Sequence, residues 1–149
     1  MKYLLLLSAL TIFSTVYGQE SNDTLTYART EIIVPEGCSA KSKYEVIDCN
    51  GFSAQWLYLK QEMIDQGVDK QLFSQLEQQF QYSKKSDLNF KSQNQDFEGF
   101  QYKMKNGTTR VLGIGKVYGQ WLILNLGFEN GPKKNSDLSE FEKNFIEFK

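Results

Sequence analysis

Two of the three Asn-Gly pairs, those at 50–51 and 106–107, constrain the fold of this chain more than any other feature. Asn and Gly both tolerate the positive φ angles that a type I′ turn requires, and that turn joins neighbouring antiparallel strands. The residues flanking each pair alternate between apolar and polar, as in strands with one buried face. We therefore predict two β-hairpins, one over 44–59 and one over about 100–117.

Between the two hairpins the period of the apolar residues changes. Apolar side chains recur every four positions from Ile64 to Phe80, which predicts an amphipathic helix over about 60–82. Gly67 is unfavourable inside a helix and Asp69 is a good cap, so we expect a break at 66–69.

The last segment of the chain also has helical spacing. Asp137 and Glu140 are spaced as in a capping box, ahead of apolar residues at 138, 141 and 145. Short β-rich runs at 31–34, 88–92 and 120–128 complete the pattern. The order βββ-α-ββββ-α predicts an α+β fold, in which two helices pack on a largely antiparallel β-sheet.

This order, with the closing run Glu140-Phe141-Glu142-Lys143-Asn144-Phe145-Ile146, resembles the PsbP/Mog1-like α/β/α sandwich. The resemblance extends over about residues 31–149. Such proteins include photosystem accessory proteins, small-GTPase-binding proteins and exported bacterial proteins of unknown function. The resemblance therefore implies a non-catalytic accessory or binding protein, and it assigns a role to no individual residue.

The N-terminus has the pattern of an export signal. Lys2 precedes an apolar stretch over 3–16, and Val16-Tyr17-Gly18 places small residues before a cleavage point. The stretch is shorter than the roughly 20 residues of a membrane helix, although an uncleaved N-terminal anchor is the alternative. We predict a signal peptide over 1–18, a mobile lead-in over 19–30, and a single α+β domain over 31–149. The mature chain should be secreted or periplasmic, without a stable membrane span.

Cys38 and Cys49 are the only cysteines of the chain. In an oxidising compartment two cysteines most simply form one structural disulfide. The alternative is a reactive thiol, but the spacing is not C-x-x-C, and Lys41 and Lys43 are weak signs of a lowered thiol pKa. We predict a Cys38–Cys49 disulfide.

Composition excludes several classes of function. The chain has no histidine, which removes His-based triads and His-ligated metal sites. Its formal net charge is -1, so no strong positive field attracts nucleic acid. Gly113-Ile114-Gly115 lacks the remainder of a phosphate-binding loop, and glycines inside a predicted strand instead indicate a bulge or the close approach of a helix or ligand. We predict no catalytic residue, metal or cofactor, and no nucleic-acid partner.

Aromatic residues on the predicted sheet are the candidates for ligand contact. The rings that could line a pocket or form a stacking platform are those of Trp56, Tyr58, Phe100, Tyr102, Trp121 and Phe128. From these we select Trp56, Tyr58, Tyr102 and Trp121 as the candidate ligand contacts. The alternative interpretation, which the size of the chain favours, is that these aromatic rings form the core. The sequence predicts an exported binding or accessory module that is not an enzyme, with an unknown protein or small ligand as its partner.

Two alternatives stay open at this point. One is a protein-interaction or structural component that holds no small ligand. The other is a His-free hydrolase that uses two facing carboxylates among Glu31, Glu36, Glu45 and Asp48. Asn22 and Asn106 are glycosylation acceptors only if a eukaryotic secretory pathway made the chain.

Overall fold

The computed structural model describes residues 24–149. Strands make up 52% of these residues and helices 17%. The predicted α+β class is wrong, because the protein is mostly antiparallel β-sheet with two short α-helices, and the second predicted helix does not form. The predicted signal peptide at 1–18 lies outside the described residues.

Ten strands and two α-helices form the described part of the chain. The strands are β1 Thr24–Tyr27, β2 Thr30–Ile33, β3 Ala40–Ser42, β4 Glu45–Cys49, β5 Phe52–Leu59, β6 Tyr82–Ser92, β7 Gln95–Met104, β8 Thr109–Val117, β9 Gln120–Phe128 and β10 Glu147–Phe148. The helices are α1 Gln61–Asp65 and α2 Val68–Gln78. Strands β1 and β2 form a separate hairpin, and the other eight form one antiparallel sheet in the order β10-β6-β7-β8-β9-β5-β4-β3.

Tight turns set the register of the sheet. Asn50-Gly51 joins β4 to β5 as predicted, with φ of 54° and 81°. Tyr118-Gly119 joins β8 to β9 in the same way, with φ of 47° and 82°. At the second Asn-Gly pair the mechanism differs, because the Asn106 side chain accepts a hydrogen bond from the Thr108 backbone N–H.

One face of the large sheet is closed by other segments of the chain, and we call it the sealed face. It carries Phe52, Trp56, Phe90, Phe97 and Leu124, which are all at most 4% exposed. Phe90 and Phe97 stack at 5.3 Å, and they occupy the space above two glycines on β8. These glycines are Gly113 and Gly115, where an added Cβ would lie 2.6 Å from the Phe90 ring and 2.5 Å from the Phe97 ring respectively.

The β1–β2 hairpin covers part of the sealed face. Leu25 and Tyr27 are fully buried in it, and the Tyr27 hydroxyl lies 2.6 Å from the Ser92 hydroxyl. Residues 24–30 therefore belong to an ordered hairpin and not to the predicted mobile lead-in. The strict alternation Thr24-Leu25-Thr26-Tyr27 was the sequence signal for this strand, but it covers only four residues.

The closing segment covers the rest of the sealed face, and it is not the predicted α-helix. Two 3₁₀ turns, Asn135–Asp137 and Glu142–Asn144, precede β10, which pairs with β6. Phe145 and Ile146 are both fully buried, whereas neighbouring residues of a helix point about 100° apart. The burial of both Phe145 and Ile146, together with the pairing of β10 with β6, outweighs the helical spacing of the apolar residues, so no α-helix forms here.

The predicted helix at 60–82 forms in two pieces. Gly67 adopts φ of 72° and separates α1 from α2, within the predicted region of the break. Both helices pack on the second face of the large sheet, which we call the helix-covered face. It carries Leu59, Tyr102, Leu112 and Ile123 as its fully buried apolar residues.

Candidate functional site

The helix-covered face is only partly closed. An α-helix is about 10 Å wide with its side chains, while eight strands spaced about 4.8 Å apart span about 34 Å. Helix α2 has 11 residues and α1 has five, so together they leave parts of the sheet open. The partly buried apolar side chains of this face are Met63, Ile64, Leu72, Phe73, Leu76, Phe80, Tyr82, Phe100, Met104, Ile114 and Trp121.

A hollow of about 700 Å³ lies between α2 and strands β6, β7 and β8. Its apolar part comes from Phe73, Phe100 and Ile114, and the Phe73 and Phe100 rings meet edge to face at 6.0 Å. The carboxylates that line it are Asp69, Glu77, Asp87 and Glu98, and Lys70 is the one lining cation. We call this site the acidic hollow.

Lys85 already contacts an aromatic ring and a carboxylate that line this hollow. The Lys85 ammonium lies 3.9 Å from the centre of the Phe100 ring and 2.7 Å from the Glu77 carboxylate. Aromatic faces attract cations through their quadrupole, and a nearby carboxylate adds charge attraction. Within residues 24–149, Asp87 and Glu98 form no ion pair.

Two polar atoms beside the acidic hollow have no hydrogen-bond partner in residues 24–149. They are one carboxylate oxygen of Asp69 and the hydroxyl of Tyr102, and both are buried. Burial raises the pKa of the Tyr102 hydroxyl, and the negative charge of Glu77 raises it further. Tyr102 is therefore neutral at physiological pH.

A smaller hollow of about 230 Å³ lies on the other side of α2, against β5 and β9. Side-chain amides line it, from Gln55, Gln75, Gln79 and Asn125. Leucines from α2 and from β5 supply its apolar part. We call this site the amide hollow.

The four aromatic residues selected from the sequence do not share one site. Trp56 and Tyr58 lie on the sealed face, where the Trp56 ring packs on Phe145 and the Tyr58 hydroxyl accepts a hydrogen bond from the Ala28 N–H. Tyr102 and Trp121 lie on the helix-covered face, and Trp121 donates a hydrogen bond from Nε1 to Gln61. None of the four lines the acidic hollow, and Trp56 alone of the four is among the residues that line the amide hollow.

Of the side chains that line the acidic hollow, the sequence indicated only Phe100, as one of the sheet aromatics that could line a pocket, and it was not among the four selected. Phe73 was predicted only as part of the apolar stripe of a helix. The carboxylates come from α2, β6 and β7, and their approach depends on the sheet order, which no spacing in the sequence reveals.

The four carboxylates considered for a hydrolase are spread over separate elements. Glu31 lies on β2 opposite Thr26, and Glu45 lies on β4 opposite Gln55. Asp48 lines a different hollow at the start of β5, while Glu36 lies in the turn before β3. The structure does not bring these four groups together in one hollow.

The predicted disulfide joins Cys38 to Cys49, with a Cα–Cα distance of 5.1 Å. Over residues 24–149 no helix has the length and apolar character needed to cross a membrane. In the same range no group of three or more acidic or cysteine side chains is arranged to hold a metal ion.

No family model, curated protein or solved structure matches this chain, so the PsbP/Mog1-like resemblance stays a prediction.

Proposed function

We propose that this chain is an exported, non-catalytic binding module whose acidic hollow takes an organic cation with an apolar group. The observation that carries the proposal is the position of the Lys85 ammonium, 3.9 Å from the Phe100 ring and 2.7 Å from Glu77. The chain's own amine occupies there the position that a ligand amine would take. A small-molecule ligand is thus the favoured partner.

The size and charge of the acidic hollow support this ligand class. Its volume of about 700 Å³ falls within the range of small-molecule sites. Its four carboxylates exceed the two lysines, Lys70 and Lys85, by two negative charges. The rings of Phe73 and Phe100 supply the apolar contact.

Export is supported by the disulfide and by the predicted signal peptide. Disulfides persist in oxidising compartments, and Cys38 and Cys49 are joined. The denatured mass of the protein from its host tests this: we expect loss of residues 1–18 and a deficit of two hydrogens. A full-length mass with two free thiols would contradict export.

Calorimetric titration with phenethylamine tests the ligand class, with the neutral 2-phenylethanol as the matched control ligand. We expect only the amine to bind at millimolar concentration. Glu98→Gln should weaken amine binding, while Glu36→Gln, on an exposed turn, should leave it unchanged. Equal binding of amine and alcohol, or of neither, would overturn the proposal.

A substitution at Lys85 should strengthen amine binding, whereas Glu98→Gln should weaken it. Lys85→Gln frees the Phe100 ring and the Glu77 carboxylate, so amine affinity should rise about three- to tenfold. Weaker binding in this variant would mean that Lys85 belongs to the site as a ligand contact.

The rival function, a protein-interaction component, makes a different prediction. Native mass spectrometry of the protein from its host should retain a small adduct if the proposed function holds. A bound second chain without any small adduct would favour the rival.

A further inference from the structure

The amide hollow differs from its surroundings in charge. None of the nine residues that line it is charged, in a chain where 23% of residues are charged. Its polar groups are the side-chain amides of Gln55, Gln75, Gln79 and Asn125, and each amide both donates and accepts hydrogen bonds. The hollow is therefore suited to an uncharged, polar ligand.

Asn125 is the unusual residue of this site. It lies in the middle of β9 between two fully buried leucines, and it is itself only 8% exposed. Its Oδ1 accepts a hydrogen bond from Arg110 Nη1 at 3.0 Å. Because a guanidinium has only donors, the Asn125 carbonyl must face Arg110, which leaves the Nδ2 donor for the hollow.

That Nδ2 group makes no hydrogen bond with the rest of residues 24–149. Ser92 is the other buried polar residue in this range apart from tyrosines, and its hydroxyl is paired with Tyr27. The Arg110 contact therefore fixes the Asn125 amide with an unused donor that opens onto the hollow, where a ligand oxygen can accept from it.

Arg110 holds Asn125 in this orientation. Its guanidinium lies beside Gly127, where an added Cβ would be 3.5 Å from Nη2, and 5.2 Å from the Phe80 ring. Burial lowers the Arg110 pKa, and no carboxylate within residues 24–149 forms an ion pair with it. A partly buried cation on β8 beside a buried amide on the mostly apolar β9 breaks the local pattern, as functional sites often do.

We propose that the amide hollow binds one ring of a neutral sugar, with Asn125 Nδ2 donating to a ring hydroxyl. The glutamines at the rim complete the hydroxyl contacts, and Leu57, which is 48% exposed, meets the C–H face of the ring. The volume of about 230 Å³ equals about eight water molecules, which suits one ring and not a buried chain.

A peptide backbone fits this hollow less well. Strands β5 and β9 pair with each other, and each has a second partner, β4 and β8 respectively. Their backbone groups are used in the ladders, so no sheet edge at this point receives an added strand. Side-chain amides are left as the recognition groups, and hydroxyls match them.

The test is amide NMR of the ¹⁵N-labelled protein during titration with glucose, mannose, galactose and N-acetylglucosamine in turn. We expect at least one sugar to shift the Asn125 side-chain NH₂ signals and the Gln75 backbone signal. Absence of such shifts with all four sugars at high millimolar concentration would overturn the proposal. So would shifts confined to the acidic hollow.

Two variants and one control sharpen the test. Asn125→Asp keeps the shape and the Arg110 contact but removes the donor, so sugar affinity should fall about tenfold without unfolding. Gln75→Ala should weaken binding severalfold. Gln78→Ala should not, because Gln78 lies on the same helix, bonds to Ser74 and does not line the hollow. Equal losses for Gln75→Ala and Gln78→Ala would contradict the site.

Discussion

The two faces of one sheet are covered in different ways. The sealed face belongs to a cluster of 21 buried residues, closed by the β1–β2 hairpin and the closing segment. The helix-covered face has a cluster of four, closed by two short helices. The same strands supply alternating apolar residues to both faces, so the difference comes from what packs against them.

This comparison separates stability from binding. A face closed on all sides contributes packing and leaves no room for a ligand. A face covered by one 11-residue helix keeps hollows on both sides of that helix, and polar groups collect there. We therefore assign stability to the sealed face, and the hollows of the helix-covered face are where we propose ligand contact.

The largest expected effect is at the centre of the sealed face. Phe145 is fully buried against the rings of Tyr27, Phe52 and Trp56, so Phe145→Ala should lower the free energy of unfolding by about 3–5 kcal/mol. Phe73→Ala, on the helix-covered face, should lower it by about 1–2 kcal/mol because Phe73 is only partly buried. Urea denaturation measures both, and equal losses would break the comparison.

Loss of the disulfide should come next. Cys38 and Cys49 are 11 residues apart and pack against the sealed-face cluster, so Cys38→Ala with Cys49→Ala should cost about 3 kcal/mol. Urea midpoints with and without reductant check this. A wild-type midpoint unmoved by complete reduction would contradict a stabilising role.

Two glycine-to-alanine substitutions, one on each face, test how tightly each face is packed, because each adds one methyl group. Gly113→Ala places a Cβ 2.6 Å from the Phe90 ring and should cost about 1–3 kcal/mol. Gly127→Ala, on the helix-covered face, meets its nearest atom at 3.5 Å and should change stability by less than about 1 kcal/mol. Thermal denaturation distinguishes the two; a larger loss at Gly127 would reverse the assignment of tight packing.

The smallest expected difference in stability is between phenylalanine substitutions of two buried tyrosines, one on each face. Tyr27→Phe leaves the Ser92 hydroxyl buried without its partner and should cost about 1–2 kcal/mol. Tyr102→Phe removes a hydroxyl that has no partner in the described range, so stability should stay unchanged or rise slightly. Equal losses in the two variants would mean that the Tyr102 hydroxyl is paired.

The same tyrosines set a dependence on alkaline pH. Burial raises the pKa of Tyr27 and Tyr102 above the 10.0 of an exposed tyrosine, so the folded state holds protons that the unfolded state releases. This contribution to stability is complete below pH 10 and is lost as pH rises further. Tyr27→Phe should therefore lose stability less steeply above pH 10 than the wild type.

The local turns and the first helix could be predicted from the sequence because their signals are local. Asn50-Gly51 allows positive φ at two positions, and Gly67 breaks a stripe of period four. The closing segment could not be predicted, because its burial of Phe145 and its strand pairing depend on distant residues.

The candidate sites depend on distant residues even more strongly. Phe100 and Glu77 are 23 positions apart in the numbering, and Lys85 joins them only in the folded sheet. Asn125 was hidden inside the most apolar strand, and a single polar residue there was the one available signal. Its meaning depends on Arg110, which lies opposite Gly127 on the neighbouring strand.

The most direct test of a binding face separate from a stabilising face is a backbone amide NMR map recorded as phenethylamine is added to the protein. The account predicts shifts at Phe73, Glu77 and Phe100 on the helix-covered face, with the signals of Phe90 and Phe145 unchanged. Shifts centred on the sealed face or on the β1–β2 hairpin would contradict the division between a stabilising face and a binding face.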